Sequence, residues 1–182
     1  CIAEKSVVAM RQIEPQLVQE MVKVGCVLIE NQQDIQRLVD LTVLPNGTPN
    51  KQFVGKNASV ILDAAHIPYN GDPRLIIMRT PKEHPFAVIE MLMPILPVVI
   101  VDSFDEGLEV CLMLEAGLHH TATMHSLNME RLNCMARKMK TSIFVKNGPS
   151  YAGLGFSGEG TTTFTIATPT GESTTSARCF AR

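Results

Sequence analysis

The 182-residue chain carries 45% hydrophobic and 19% charged residues and a formal charge of -2 at pH 7. That balance supports a packed core of ordinary domain size and excludes a disordered tail. It offers no basic surplus for nucleic acid or an anionic bilayer, and the longest apolar run, Met91 to Val101, is interrupted by Pro94 and Pro97, well short of the roughly 20 residues that span a membrane.

In chain order, Ala3–Met10 carries Val7, Val8 and Met10 and is predicted as a short strand leading away from Cys1. Pro15 opens a predicted helix in which Leu17, Val18, Met21 and Val22 recur at helical spacing. Ile35, Leu38, Val39 and Thr42 make a second such stripe, ended by Pro45 and Gly47, with Leu44–Gln52 as a polar loop. Asn57 is placed to cap a third helix, with Val60, Ile61, Ala64 and Ala65 as its buried face. Leu75–Met78 and Ile95–Val101 are continuous apolar runs, as in strands covered on both faces.

Ser103 and Glu106 form a capping-box pair ahead of Leu108, Cys111 and Leu112, with Glu115 at the edge of the stripe. Thr121–Ser126 is predicted as a strand. Asn128 starts a helix with Leu132, Met135, Ala136 and Met139 inward, and basic Arg137, Lys138 and Lys140 suit its last turn. Thr141–Lys146 returns as a strand. This alternation predicts an α/β fold of three layers, α/β/α, around a mainly parallel twisted sheet. Asn147–Thr175 is rich in Gly, Ser and Thr without a helical period; a stretch of that kind is expected to border an active site or an interface.

Five cysteines, at 1, 26, 111, 134 and 179, are odd in number, widely spaced and free of any CxxC pair. They are expected to be reduced intracellular thiols, several of them core fillers, in a cytoplasmic protein. No zinc ligand set accompanies the adjacent His119 and His120, so no metal is expected. Cys1 itself has three readings: an N-terminal nucleophile using its own amine, an acylated lipoprotein terminus, or an internal thiol. The packed look of Ile2–Met10 disfavours a lipoprotein tether, and crossover units disfavour the antiparallel layers of an amidohydrolase. An internal thiol, catalytic or core-filling, is the favoured reading of the three. Glu90, between Ile89 and Met91 and ahead of Pro94, is either a ligand carboxylate or a snorkelling edge residue. The glycines at 153, 155, 158 and 160 lack the lysine of a phosphate loop and are read as a tight surface loop, either simply exposed or also lining a pocket. His119, His120 and His125 are read as helix-end or loop residues.

Taken as motifs, Cys1–Lys5, His84–Val99, Leu118–Ser126, Thr141–Gly153, Gly158–Gly160, Thr165–Gly171 and Thr175–Arg178 cover nearly the whole chain. Together they resemble the coenzyme A-acylating aldehyde dehydrogenases, above all the propionaldehyde branch of propanediol utilisation, with the acetaldehyde branch of ethanolamine utilisation as the nearest rival. The resemblance implies Cys1 as the catalytic nucleophile, Glu90 as the carboxylate that positions the ribose of NAD, and coenzyme A as acyl acceptor. It implies a short-chain aldehyde substrate, propionaldehyde before acetaldehyde, a homo-oligomer (dimer or tetramer) and association with a bacterial microcompartment shell. It also implies that residues 1–182 are the thiol-bearing catalytic domain with part of the C-terminal tail. The NAD-binding domain, which precedes the cysteine in this family, would then lie outside the chain, leaving residues 1–182 inactive alone. An N-terminal cysteine hydrolase and a non-catalytic assembly module are the alternatives of other classes.

Overall fold

The computed structural model describes residues 3–155 of the chain, which divide into two compact units, Glu4–Gly107 and Leu108 onward. In the first, β1 (Val7–Met10), β2 (Cys26–Leu28), β3 (Leu75–Arg79) and β4 (Ile95–Val101) form a parallel sheet in the order β1-β4-β3-β2. The central strands are the apolar runs. Ile76, Ile77, Met78 and Val98 are 0% exposed, as befits strands covered on both faces. Side chains alternate along a strand. Ile76 and Met78 therefore join Leu38, Ile61, Leu62 and Phe86 in one core, while Ile77 and Leu96 pack with Val18 in another.

Helix α1 (Glu14–Lys23) supplies Val18, and α2 (Gln32–Thr42), α3 (Ala58–Ala64) and the one-turn α4 (Pro85–Val88) cover the opposite face. This is the expected α/β/α layering. Asn31 caps α2 by accepting from the Gln33 amide at 2.8 Å, and Arg37 donates to the Ala65 carbonyl at the end of α3 at 3.3 Å. Glu14, only 5% exposed, accepts from Arg79 Nε at 2.7 Å while Arg79 Nη1 reaches Glu30 at 2.9 Å. A carboxylate in the first turn of α1 is thus fastened to the end of β3.

Helix α5 (Phe104–Glu115) carries the chain into the second unit, where β5 (Thr121–Met124) and β6 (Ile143–Lys146) pair in parallel on either side of α6 (Met129–Met139). Ser150–Leu154 forms a 3-10 helix. Asn128 caps α6 through the Arg131 amide at 3.0 Å, and Leu132, Met135 and Met139 are its buried face.

Some expectations need correcting. The strand β2 was not predicted, because its three residues follow α1 after only a short turn and read as a continuation of apolar sequence. The buried side of α3 is Ala58, Ile61, Leu62 and Ala65, with Val60 45% exposed. In α5 the buried residues are Val110 and Leu114, and Leu112 is 38% exposed. Both helices are apolar on more than one side, so periodicity alone admits several faces. Among the described residues β5 and β6 form their own pair instead of extending the β4 sheet.

Candidate active site

Glu90 is exposed in the turn between α4 and β4. Helix α4 has four residues, too few to sustain itself by its own hydrogen bonds, and both of its ends are held from outside. At the N-terminus His84 Nδ1 accepts from the Phe86 amide at 3.2 Å. Burial pushes the His84 pKa below its ordinary value, which keeps that nitrogen free to accept. At the C-terminus the Lys5 ammonium donates to the Val88 carbonyl at 3.2 Å.

Beyond Glu90, Met91 is 3% exposed, and the Gly55 amide donates to the Leu92 carbonyl at 3.0 Å. Leu92 has φ 54°. A left-handed leucine costs roughly 1–2 kcal/mol, so the surrounding bonds impose the shape of this turn. An exposed carboxylate presents two oxygens that can accept hydrogen bonds, a geometry able to meet a pair of neighbouring hydroxyls. Cys1 lies outside the described residues.

In the second unit, His119 is left-handed at φ 53°. Its carbonyl accepts from Ser142 N at 2.9 Å and Ser142 Oγ at 3.0 Å, and its Nδ1 lies 3.1 Å from the Lys140 carbonyl. A carbonyl can only accept, so the ring donates from Nδ1, and Nε2 is the nitrogen left to act as an acceptor in that tautomer. Along the sequence this residue reads only as a helix-end or loop histidine. The groups that orient it, at 140 and 142, are more than 20 positions away, and no local signal announces them. His120 Nδ1 is 2.6 Å from Thr121 Oγ1, and its amide donates to Glu115 Oε1 at 3.0 Å. Of the other thiols, Cys111 is pushed up to about 11 by burial and Cys26 is raised by the same cause, so neither is disposed to ionise or attack.

No protein-family profile matches the chain. Its whole length is, however, 53% identical over 183 aligned residues to the propanal dehydrogenase (CoA-propanoylating) of Citrobacter freundii. The chain belongs to the coenzyme A-acylating aldehyde dehydrogenase family. It also superimposes on the propionaldehyde dehydrogenase of Rhodopseudomonas palustris, solved with bound coenzyme A and an acylated cysteine, with a TM-score of 0.93 and 44% identity over 100% of this chain. A propionaldehyde dehydrogenase from the Clostridium phytofermentans fucose utilisation bacterial microcompartment matches with a TM-score of 0.92 and 44% identity over 99% of this chain. The chain spans 39% of the length of the Citrobacter acylating dehydrogenase and 41% of the two solved ones. The parallel pairing of all six named strands agrees with this family and opposes the antiparallel layers of an N-terminal cysteine hydrolase.

Proposed function

We propose that the full-length protein is an NAD-dependent oxidoreductase that converts a short-chain aldehyde, propionaldehyde before acetaldehyde, and coenzyme A into acyl-coenzyme A. The observation that carries this reading is the 53% identity to a CoA-propanoylating dehydrogenase across the entire chain.

Cys1 is the nucleophile. Its thiolate adds to the aldehyde carbonyl to give a thiohemiacetal, whose oxidation leaves a thioester on Cys1. NAD, when bound, supplies the two-electron acceptor for that oxidation. Glu90 would hold the ribose, and its exposure on a turn anchored on both sides supports that role. The thiol of coenzyme A then attacks the thioester, loses its proton and releases the Cys1 thiolate. His119 Nε2 is the base we assign to that proton, since the Lys140 carbonyl fixes the ring in the accepting tautomer. Alanine variants of a cysteine and of a histidine have been solved for the Clostridium enzyme. Those two positions stand at the same spacing as Cys1 and His119.

The Clostridium relative comes from a microcompartment, which supports a cytoplasmic enzyme associated with a bacterial microcompartment. The test is product analysis by mass spectrometry on the full-length protein, with propionaldehyde or acetaldehyde and NAD, with and without coenzyme A. Acyl-coenzyme A is expected to dominate, and Cys1→Ala to abolish its formation. Free carboxylate dominating at saturating coenzyme A would overturn the acylating assignment.

A further inference from the structure

We propose that Lys5 is a positioning residue for the cofactor carboxylate: by holding the Val88 carbonyl, it sets where the α4–β4 turn presents Glu90. This rests on the reading of Glu90 as the ribose-binding group. The last carbonyls of any helix lack partners within it, and in a helix of four residues they are a large share of the whole. Lys5 Nζ satisfies one of them at 3.2 Å across 83 positions of sequence. Holding a long lysine stem in one arrangement costs side-chain entropy. In return, the backbone entering the turn is fixed just before Glu90.

The far side of Glu90 has separate anchors. Met91 is 3% exposed and the Leu92 carbonyl is held by the Gly55 amide at 3.0 Å. Between the two sets of anchors stand Ile89, whose amide donates to the Pro85 carbonyl at 2.8 Å and whose side chain packs against the core, and the exposed Glu90. Loss of the Lys5 contact therefore leaves the far anchors and the core intact but widens the range of positions the carboxylate explores. A ligand that requires one of those positions then binds more weakly in proportion to its reduced population. Lys5 also belongs to the lead-in to β1, and β1 pairs in parallel with β4, the strand that follows Glu90. The same stretch of chain that opens at Cys1 thus supplies the cation that steadies the cofactor turn.

The test uses the full-length enzyme and four variants: Lys5→Met, which keeps the stem and removes the donors, Lys5→Arg, Glu90→Gln, and Lys5→Met with Glu90→Gln. Lys5→Met is expected to raise the Kd and KM for NAD roughly three- to tenfold, the size of one solvent-accessible hydrogen bond, with a smaller change in kcat. Lys5→Arg, which can still donate to the carbonyl, is expected to restore most of the affinity. Exchange of labelled coenzyme A into acyl-coenzyme A, which involves no redox step, is expected to stay within about twofold in Lys5→Met. In the double variant, Lys5→Met is expected to add little to Glu90→Gln, because it acts through that carboxylate. If Glu90→Gln weakens NAD binding while Lys5→Met leaves it unchanged, or if the two effects are fully additive, the positioning role fails and the role of Glu90 stands. If Glu90→Gln leaves NAD binding unchanged, the cofactor reading of Glu90 fails and the Lys5 proposal falls with it.

Discussion

In Glu4–Gly107 the exposed Glu90 stands on a turn rooted in a four-stranded sheet whose Ile76, Ile77 and Met78 are wholly buried. From Leu108 onward, His119 sits beside two short strands, of which β5 has no fully buried residue, and its orientation comes from polar bonds to Lys140 and Ser142. The first arrangement places the carboxylate proposed to bind the cofactor at the end of an apolar scaffold. In the second, a few hydrogen bonds hold a strained backbone directly at the histidine proposed as the base. Hydrophobic packing spreads the support of the first turn over many weak contacts, whereas a ring tautomer is lost with a single acceptor. The two regions should therefore fail differently.

The largest effect is expected at His119. In the full-length enzyme His119→Ala should slow transfer of the acyl group to coenzyme A by about a hundredfold or more, with the first turnover of NADH retained. Rapid-mixing kinetics separate the two phases. An equal loss in both would place the histidine in the earlier step and erase the contrast with Glu90.

Next is the core of the four-stranded unit. Leu62→Ala, at a position 0% exposed, should cost about 2–5 kcal/mol of unfolding free energy, read by denaturant titration. At low denaturant the NAD Kd should stay close to wild type, since the hydrogen bonds that hold the turn, Lys5 to the Val88 carbonyl and Gly55 to the Leu92 carbonyl, do not involve Leu62. A large change in Kd in a fully folded variant would show that the turn is not buffered from the core.

The second unit is open to overpacking. A Cβ on Gly153 would clash with Ile143 Cγ2, and Ile143 is itself 6% exposed in β6. Gly153→Ala should therefore destabilise by about 1–3 kcal/mol. The acyl-transfer phase should suffer more than the NADH phase, because β6 begins beside the Ser142 that holds His119.

The smallest expected effect is that of pH on α4. The burial-lowered pKa of His84 means that the folded state binds fewer protons there than the unfolded state. Its contribution to stability is then complete above the unfolded pKa of roughly 6.5. It is lost as pH falls through the lower folded value. Protonation also converts Nδ1 from acceptor to donor, which breaks the cap on Phe86. In His84→Asn, whose side chain caps without titrating, the dependence of stability and NAD affinity between neutral and mildly acidic pH should flatten. An unchanged slope in that variant would remove His84 from the account.

Much of this architecture is legible along the chain. The runs Leu75–Met78 and Ile95–Val101 became β3 and β4, and Asn128 with Leu132, Met135 and Met139 became a capped helix with the expected inward face. The Ser103–Glu106 signal also appears as a real N-terminus: Ser103 Oγ accepts from the Glu106 amide at 3.1 Å. The Glu106 carboxylate, though, turns to the Asp102 amide at 2.7 Å. Cys1 and Glu90 were candidates from the motifs that carry the family resemblance. Composition by itself left Cys1 between three chemistries.

By itself the sequence determined the layer architecture, the central strands and the starts of α1, α5 and α6, because each depends on a local pattern: an apolar run, a period, a proline or a capping side chain. Tertiary structure alone decided that Cys26–Leu28 is an edge strand, that α3 buries Leu62 and exposes Val60, and that Glu14 is buried against Arg79. It also decided the Lys5–Val88 bond and the tautomer of His119. The physical reason is common to all of them. An edge, a buried face, an ion pair or a ring proton is set by the partner that arrives from elsewhere in the chain, and the partner's distance in sequence leaves no trace in the residues on either side.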